Sequence, residues 1–129
     1  MDKRQKILIV DDSKLNRDIL KEILGETYNY LEAENGNQAI QMIGENIEID
    51  LMLLDLNMPQ MNGFEVLKIM KRSQCIAEIP VIMVSSEDAV DTMRKAYELG
   101  ITDYITRPFD SVIVKKRVQN TLGLYMNQK

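Results

Sequence analysis

Short apolar runs alternate with longer amphipathic stretches five times along this chain of 129 residues, and this alternation constrains the fold most. The runs that we predict as strands cover residues 6–10, 28–33, 50–54, 80–84 and 103–106. The stretches that we predict as helices lie between Ser13 and Gly25 and over residues 37–45, 64–71, 88–99 and 111–124. Such an alternation is typical of parallel strands joined by right-handed crossovers, with helices on both faces of the sheet. The sequence therefore predicts one α/β domain over residues 1–129, with a core from about residue 5 to residue 125.

The composition excludes several classes of function. The chain has no histidine, which rules out Ser-His-Asp and Cys-His nucleophilic sites, zinc held by histidine, and a histidine that donates phosphate. Its single cysteine, Cys75, cannot form an internal disulfide. A net charge of −4 argues against direct nucleic-acid binding. The apolar runs are too short for a signal peptide or a membrane span, so we expect a cytoplasmic protein.

Polar side chains collect at the carboxyl ends of the predicted strands, where open parallel sheets bind ligands. Asp11 and Asp12 follow the first strand, Asp55 the third, Ser85 the fourth and Arg107 the fifth. Aspartate and serine at such positions often cap the next helix, which would account for Asp12. Capping does not account for Asp55, because a loop of several residues separates it from the next helix. The five residues together therefore predict a binding site.

Three carboxylates at one edge of a sheet predict a bound cation. Each close pair would cost about 4 kcal/mol at a separation of roughly 4 Å and an effective dielectric constant near 20. Hard oxygen ligands favour Mg²⁺, Mn²⁺ or Ca²⁺ over zinc, and Mg²⁺ commonly shares its site with phosphate oxygens. A carboxylate can itself attack phosphorus and form an aspartyl phosphate. Phosphoryl chemistry is therefore the predicted use of the site.

The motifs at these positions match a known family. They are the pair Asp11-Asp12, the run Asp55-Leu-Asn-Met-Pro-Gln-Met-Asn-Gly63, the triplet Val84-Ser85-Ser86, Tyr104, and the pair Pro108-Phe109. Over essentially its whole length, the chain resembles the receiver domains of bacterial two-component response regulators. The resemblance implies a flavodoxin-like, doubly wound domain with strand order 2-1-3-4-5 and five helices.

The resemblance also implies roles for the acidic residues. Asp55 would accept the phosphoryl group from a phosphohistidine on a sensor histidine kinase or a histidine phosphotransfer protein. Asp12, Asp55 and the backbone carbonyl of Asn57 would bind Mg²⁺, with Mn²⁺ as an alternative, and Asp11 would assist. The chain would then be a switch and not an enzyme that acts on external substrates.

The switch itself would involve two further residues. Ser85 would bond a phosphoryl oxygen and move inward, and Tyr104 would rotate into the vacated space. The surface formed by the fourth helix, the fifth strand and the fifth helix would change and control an output domain or a downstream protein. Formation of a homodimer that depends on phosphorylation is a further alternative.

Arg107 departs from the family pattern, because receiver domains usually carry lysine before the Pro-Phe pair. Its planar guanidinium could hold phosphate through two nitrogens, or it could be too bulky to reach Asp55. This replacement of the usual lysine leaves open a phosphate-independent interaction module. A phosphohydrolase is disfavoured, since Asn57 stands where a second aspartate would be expected. The family pattern also implies a cis peptide bond before Pro108.

Overall fold

The computed structural model describes residues 4–45 and 47–128. Its strands are β1 (Lys6–Val10), β2 (Asn29–Ala33), β3 (Leu51–Asp55), β4 (Val81–Ser85) and β5 (Asp103–Thr106). Its helices are α1 (Lys14–Leu24), α2 (Gly36–Gly44), α3 (Gly63–Arg72), α4 (Val90–Glu98) and α5 (Ser111–Gln128). In the described ranges, none of these helices combines the length and the apolarity that crossing a membrane would require.

The five strands form one parallel sheet in the order β2-β1-β3-β4-β5, as the resemblance implied. The predicted alternation of strands and helices is confirmed throughout. The chain passes from β1 to β2 at one edge of the sheet and then crosses back to β3 on the other side of β1. The direction in which strands are added therefore reverses between β1 and β3. This switch point is where an open parallel sheet leaves a crevice beyond its carboxyl ends.

Alternate strand residues supply the two apolar layers, since successive side chains in a strand point to opposite faces. On one face, Ile7 and Ile9 of β1 pack with residues of the neighbouring strands against α1 and α5. On the other face Leu8, Val10 and their neighbours pack against α2, α3 and α4. Both faces of the sheet are therefore covered, which explains why the central strand β3 is buried along its whole length.

The ends of α1 follow from local chemistry. Ser13 caps its N-terminus, since the Oγ atom accepts a hydrogen bond from the amide of Asn16. Gly25 ends it with a positive φ of 76°, a conformation that glycine adopts without steric cost. The helix predicted between Ser13 and Gly25 is confirmed, and of the two candidate caps, Asp12 and Ser13, the structure selects Ser13.

Several predicted boundaries were wrong by a few residues. β3 and β4 each extend one residue further than predicted, so that Asp55 and Ser85 are the last residues of strands. Asp55 pairs with Val84 in the ladder, and this pairing overrides the weak strand preference of an aspartate. The last helix continues to Gln128, past the predicted end at residue 124, and α4 begins at Val90 instead of residue 88. The sequence reasoning also missed two short 3₁₀ turns, at Gly25–Thr27 and Cys75–Ala77.

Candidate functional site

The predicted carboxylates meet at the switch point of the sheet. Asp11 directly follows β1 and Asp55 ends the adjacent β3, so the parallel strands bring them together. One oxygen from each of Asp11, Asp12 and Asp55 lies within 4.8 Å of the other two. Asp11 and Asp55 are each only 2% exposed, whereas Asp12 lies at the surface. The three carboxylates therefore meet at this edge of the sheet, with Asp12 on the solvent side. Their role as metal ligands stays a prediction.

Every polar atom of Asp11 takes part in a hydrogen bond. Its amide donates to the carbonyl of Ala33 at 3.1 Å, which continues the ladder from β1 to β2 by one residue. Its Oδ1 atom accepts from the amide of Ser13 at 2.9 Å, and Oδ2 accepts from Nη2 of Arg107 at 3.1 Å. Its carbonyl accepts from Nη1 of Arg17 at 2.6 Å. Burial raises the pKa of Asp11, and the charge of Asp12 acts in the same direction. The hydrogen bond from the Ser13 amide and the charge of Arg107 partly oppose this rise.

Asp55 carries the larger pKa shift of the two buried aspartates. Burial, followed by the charge of Asp11, raises its pKa from 3.8 to about 6. The charge of Arg107 and the amide of Asn57 act in the opposite direction. Both groups bond the same oxygen: Arg107 Nη2 lies 2.8 Å from Oδ1, and the Asn57 amide lies 3.2 Å from it. At neutral pH the carboxylate is therefore mainly ionised and held through one oxygen.

Arg107 reaches the cluster, which excludes one of the two alternatives left open by the sequence, namely that its side chain is too bulky to reach Asp55. A single nitrogen, Nη2, bonds both Asp11 and Asp55. Its Nε atom is buried and has no hydrogen-bond partner among the described residues. The guanidinium lies 6.0 Å from the centre of the Phe109 ring, which flanks it on one side. The Arg107–Pro108 peptide bond is cis, as the resemblance implied.

Ser85 is fully buried at the end of β4. Its Oγ atom accepts a hydrogen bond from the amide of Glu87 at 3.0 Å. The Nδ2 atom of Asn57 donates to the same oxygen at 3.4 Å, although Asn57 itself is exposed. The structure thus brings Ser85 and Asn57 together at the carboxyl ends of β3 and β4. Their roles toward a phosphoryl group and a metal ion stay predictions.

Tyr104 lies in β5 with its side chain buried, at 1% exposure. Its hydroxyl donates to the carbonyl of Glu87 at 2.9 Å, and its own carbonyl accepts from Nη1 of Arg117. Glu87 thus bonds Ser85 through its amide and Tyr104 through its carbonyl. Sequence reasoning missed Glu87, because the contacts use only backbone atoms that any residue would supply.

Arg17 is a second residue that sequence reasoning missed. It is 6% exposed on α1, and its guanidinium bonds the backbone of Asp11. A signal was present in the sequence, since Arg17 precedes the buried Leu20 and Leu24 by three and seven residues. That spacing puts an arginine on the apolar side of the helix, where an unpaired charge would be costly.

The donor set fits a hard divalent cation. Three carboxylates contribute oxygen, and the chain has no histidine to add a nitrogen ligand. Oxygen-only sites of this kind suit Mg²⁺ or Mn²⁺. The residues therefore fit the metal that the sequence predicted.

The strand order β2-β1-β3-β4-β5, with two buried aspartates at the switch point, defines a flavodoxin-like, doubly wound domain with an acidic site. Comparison with known families specifies which one: the model of the response regulator receiver domain matches residues 7–119. The chain belongs to this family, and the resemblance stated from the sequence is confirmed.

Its relatives include both single domains and larger proteins. A chemotaxis protein CheY homolog of Campylobacter jejuni is 33% identical over 120 residues, covering 92% of each chain. Histidine kinase P4 of Formosa agariphila is 34% identical over 123 residues, which are 95% of this chain and 9% of that protein. Among solved structures, a CheY-like response regulator receiver domain from Methanospirillum hungatei has a TM-score of 0.87 at 25% identity, with 98% of this chain and 99% of that chain covered.

Proposed function

We propose that this domain is a phosphorylation-dependent switch in which Asp55 accepts a phosphoryl group from a phosphohistidine. The donor would be a sensor histidine kinase or a histidine phosphotransfer protein. The observation that carries the proposal is the surroundings of Asp55: it is buried, has Asp11 and Asp12 oxygens within 4.8 Å, and bonds a cationic Arg107 nitrogen at 2.8 Å. The reaction would take place in the cytoplasm, the location that the sequence predicts. The receiver domain would span residues 1–129, with a core from about residue 5 to residue 125.

In this reaction an Asp55 oxygen attacks phosphorus, and the bond between phosphorus and the imidazole nitrogen breaks. The nitrogen keeps the electron pair, and the phosphoryl group becomes an aspartyl phosphate. The hydrogen bonds from Arg107 and the Asn57 amide both fall on Oδ1, so we assign the attack to Oδ2. A pKa of about 6 leaves most of the carboxylate ionised and nucleophilic at pH 7.

The metal ligands would be Asp12, Asp55 and the carbonyl of Asn57, with Asp11 assisting. When bound, Mg²⁺ or Mn²⁺ supplies positive charge that offsets the charge on the transferring phosphoryl oxygens. The role of the chain is to hold the carboxylates together before the cation binds. The bond from Arg107 does part of this, because it links the two buried aspartates, Asp11 and Asp55.

Arg107 would bind the phosphoryl group through two nitrogens. The Nε and Nη2 atoms of arginine lie on one edge of the planar guanidinium, and this edge matches two oxygens of a phosphoryl group. Nη2 already lies at Asp55, while Nε is buried without a partner in the described part of the chain. A phosphoryl oxygen would satisfy that buried donor. The Ser85 hydroxyl, at the end of β4, would donate to a third oxygen.

The output would pass through Ser85 and Tyr104. If the Ser85 hydroxyl turns to a phosphoryl oxygen, its bond to the Glu87 amide weakens, and Glu87 also accepts from Tyr104. The change would reach the surface of α4, β5 and α5, which exposes Val90 and Val112 at 66% and 64%. An output domain, a downstream protein or a second copy of the chain would bind this surface.

A phosphate-independent interaction module is the second candidate function. The observation in its favour is that Arg107 already neutralises part of the acidic cluster by bonding Asp11 and Asp55. Such a module would bind its partner equally well with and without Mg²⁺ and a phosphoryl donor.

Incubation with Mg²⁺ and acetyl phosphate tests the proposal. One phosphate should add to the protein, as measured by mass spectrometry, and Asp55→Asn should abolish the adduct. The absence of an adduct under conditions that label a known receiver domain would favour the phosphate-independent module. Many turnovers on small phosphate esters would instead indicate a phosphohydrolase.

A further inference from the structure

Arg17 joins three parts of the chain from a buried position. Its Nε atom donates to Oε1 of Glu32 on β2 at 2.9 Å, and its Nη1 atom donates to the carbonyl of Asp11 at 2.6 Å. Its Nη2 atom lies 3.9 Å from a carboxylate oxygen of Glu34, after β2. All three nitrogens of the guanidinium therefore face acceptors, and one of these acceptors belongs to the site.

We infer that Arg17 is a positioning residue for the metal-binding aspartates, an inference that rests on the proposed function. The carbonyl that Arg17 binds belongs to the peptide unit between Asp11 and Asp12. A rotation of this one rigid unit would change the directions of both side chains. Arg17 therefore sets the geometry of the aspartate pair without contacting the metal or the phosphoryl group.

The shape of the arginine side chain is essential to this role. Glu32 is bonded on both sides, since its Oε1 atom accepts from Arg17 and its Oε2 atom accepts from Lys21 at 2.9 Å. With Nε anchored on Glu32, the planar fork directs Nη1 to the carbonyl of Asp11. A lysine has one rotating ammonium group and cannot hold both acceptors in the same fixed arrangement.

The effect is one of geometry more than of long-range charge. Arg17 is paired with Glu32, so its charge is largely compensated before it reaches the carboxylate cluster. Lys21 provides a matched comparison, because it pairs with the same Glu32 carboxylate and lies one helical turn further along α1. In the described ranges, Lys21 has no hydrogen bond or ion pair with Asp11.

The test compares metal affinity with stability in the full chain. Mn²⁺ binding is measured by electron paramagnetic resonance for the wild type, Arg17→Lys, Arg17→Ala and Lys21→Ala. Each protein is kept at a temperature well below its own unfolding midpoint. We expect the dissociation constant for Mn²⁺ to rise about tenfold or more in the Arg17 variants, as for other residues that orient metal ligands. Lys21→Ala should stay within about twofold of the wild type, since it touches no ligand.

The outcomes separate this inference from the proposed function. Arg17 variants that are less stable but bind Mn²⁺ as tightly as the wild type would overturn the positioning role and leave the metal site intact. A wild type that shows no saturable Mn²⁺ binding would overturn the metal site, and the positioning role with it. If Arg17→Ala does not fold, Arg17→Lys and Glu32→Gln decide the question, because both keep a side chain of similar size while disturbing the anchored fork.

Discussion

The Nη2 atom of Arg107 lies 2.8 Å from the Oδ1 atom of Asp55, although 52 residues separate them along the chain. The same nitrogen also bonds Oδ2 of Asp11, so one donor joins the carboxylates at the ends of β1 and β3. This contact explains how two buried aspartates tolerate each other, because one cationic nitrogen offsets the repulsion between their carboxylates. It also makes Arg107 the first residue to vary in any test of the site.

Replacing Arg107 with lysine should weaken the binding of beryllofluoride, a mimic of the phosphoryl group, in the presence of Mg²⁺. Lysine keeps the charge, but it has one nitrogen in place of the planar pair Nε and Nη2. The hydrogen bond that a phosphoryl oxygen would make to the buried Nε atom would therefore be lost. A buried donor left unsatisfied costs about 1–3 kcal/mol, so we expect a loss of affinity of about tenfold. Fluorine NMR would measure it. Arg94→Lys, an exposed change on α4, is the control, and equal affinity in Arg107→Lys would contradict the two-nitrogen contact.

Replacing Asp12 with alanine should weaken Mg²⁺ binding by about tenfold or more, because one of the three carboxylate oxygens is removed. Asp12 lies at the surface, so the thermal midpoint should change little. Titration calorimetry would give the affinity. Asp18→Ala is a suitable control, since Asp18 lies nearby on α1 but pairs with Lys14 and Lys21. Identical Mg²⁺ affinities in the two variants would argue against the predicted ligand set.

Asp55→Asn should stabilise the domain at pH 7.5 and have little effect near pH 4. The folded-state pKa of Asp55 is raised from 3.8 to about 6, so the folded state holds the proton more tightly than the unfolded state. The stability associated with this proton is present below about pH 4 and is lost as the pH rises through about 6.

The difference between the two pKa values corresponds to about 3 kcal/mol as an upper estimate. Urea denaturation at both pH values, in the presence of a chelator, would measure the effect. A stabilisation that is the same at pH 4 and pH 7.5 would show that ionisation of Asp55 is not its cause.

Gly63→Ala should destabilise the domain and weaken Mg²⁺ binding together. A Cβ atom at this position would lie 2.8 Å from the carbonyl oxygen of Asp55 and 2.9 Å from the Cα atom of Leu56. Because both neighbours are backbone atoms, the end of β3 would have to move, at a cost of about 1–3 kcal/mol. Chemical denaturation and metal titration would measure the two effects.

The control for Gly63 is Gly123→Ala on α5, where an added Cβ atom meets nothing within 4 Å. This variant should gain about 0.5–1 kcal/mol, because alanine favours a helix over glycine. Loss of stability in both variants, by similar amounts, would point to a general effect of the glycine replacements.

Ser85→Ala should uncouple phosphorylation from the surface of α4, β5 and α5. The change removes the acceptor for the Glu87 amide while leaving Asp55 and Arg107 in place. We expect beryllofluoride still to bind, but the chemical shifts of amides in α4 and β5 to change less than in the wild type. Tyr104→Phe, which removes the bond to the Glu87 carbonyl, should behave similarly. Full-sized shifts in both variants would exclude the proposed route.

The sequence by itself determined the fold and the acidic half of the site. Apolar periodicity reports which side of each element is buried, and it predicted every strand and α-helix, although not every boundary and neither 3₁₀ turn. Parallel strands align their carboxyl ends, so the sequence positions of Asp11, Asp12 and Asp55 placed them at one edge of the sheet. That β1 and β3 are neighbours, so that these residues meet, was implied by the family resemblance.

Only the tertiary structure decided which groups the side chains of Arg107 and Arg17 contact. Whether Arg107 reaches Asp55, and whether Arg17 binds the carbonyl of Asp11, depends on the conformations of long side chains packed against distant parts of the chain. The bonds of Glu87 use backbone atoms, which carry no residue-specific signal in the sequence. Apolar periodicity indicates which residues of each helix and strand are buried, whereas these contacts depend on distances between residues that are far apart in the sequence.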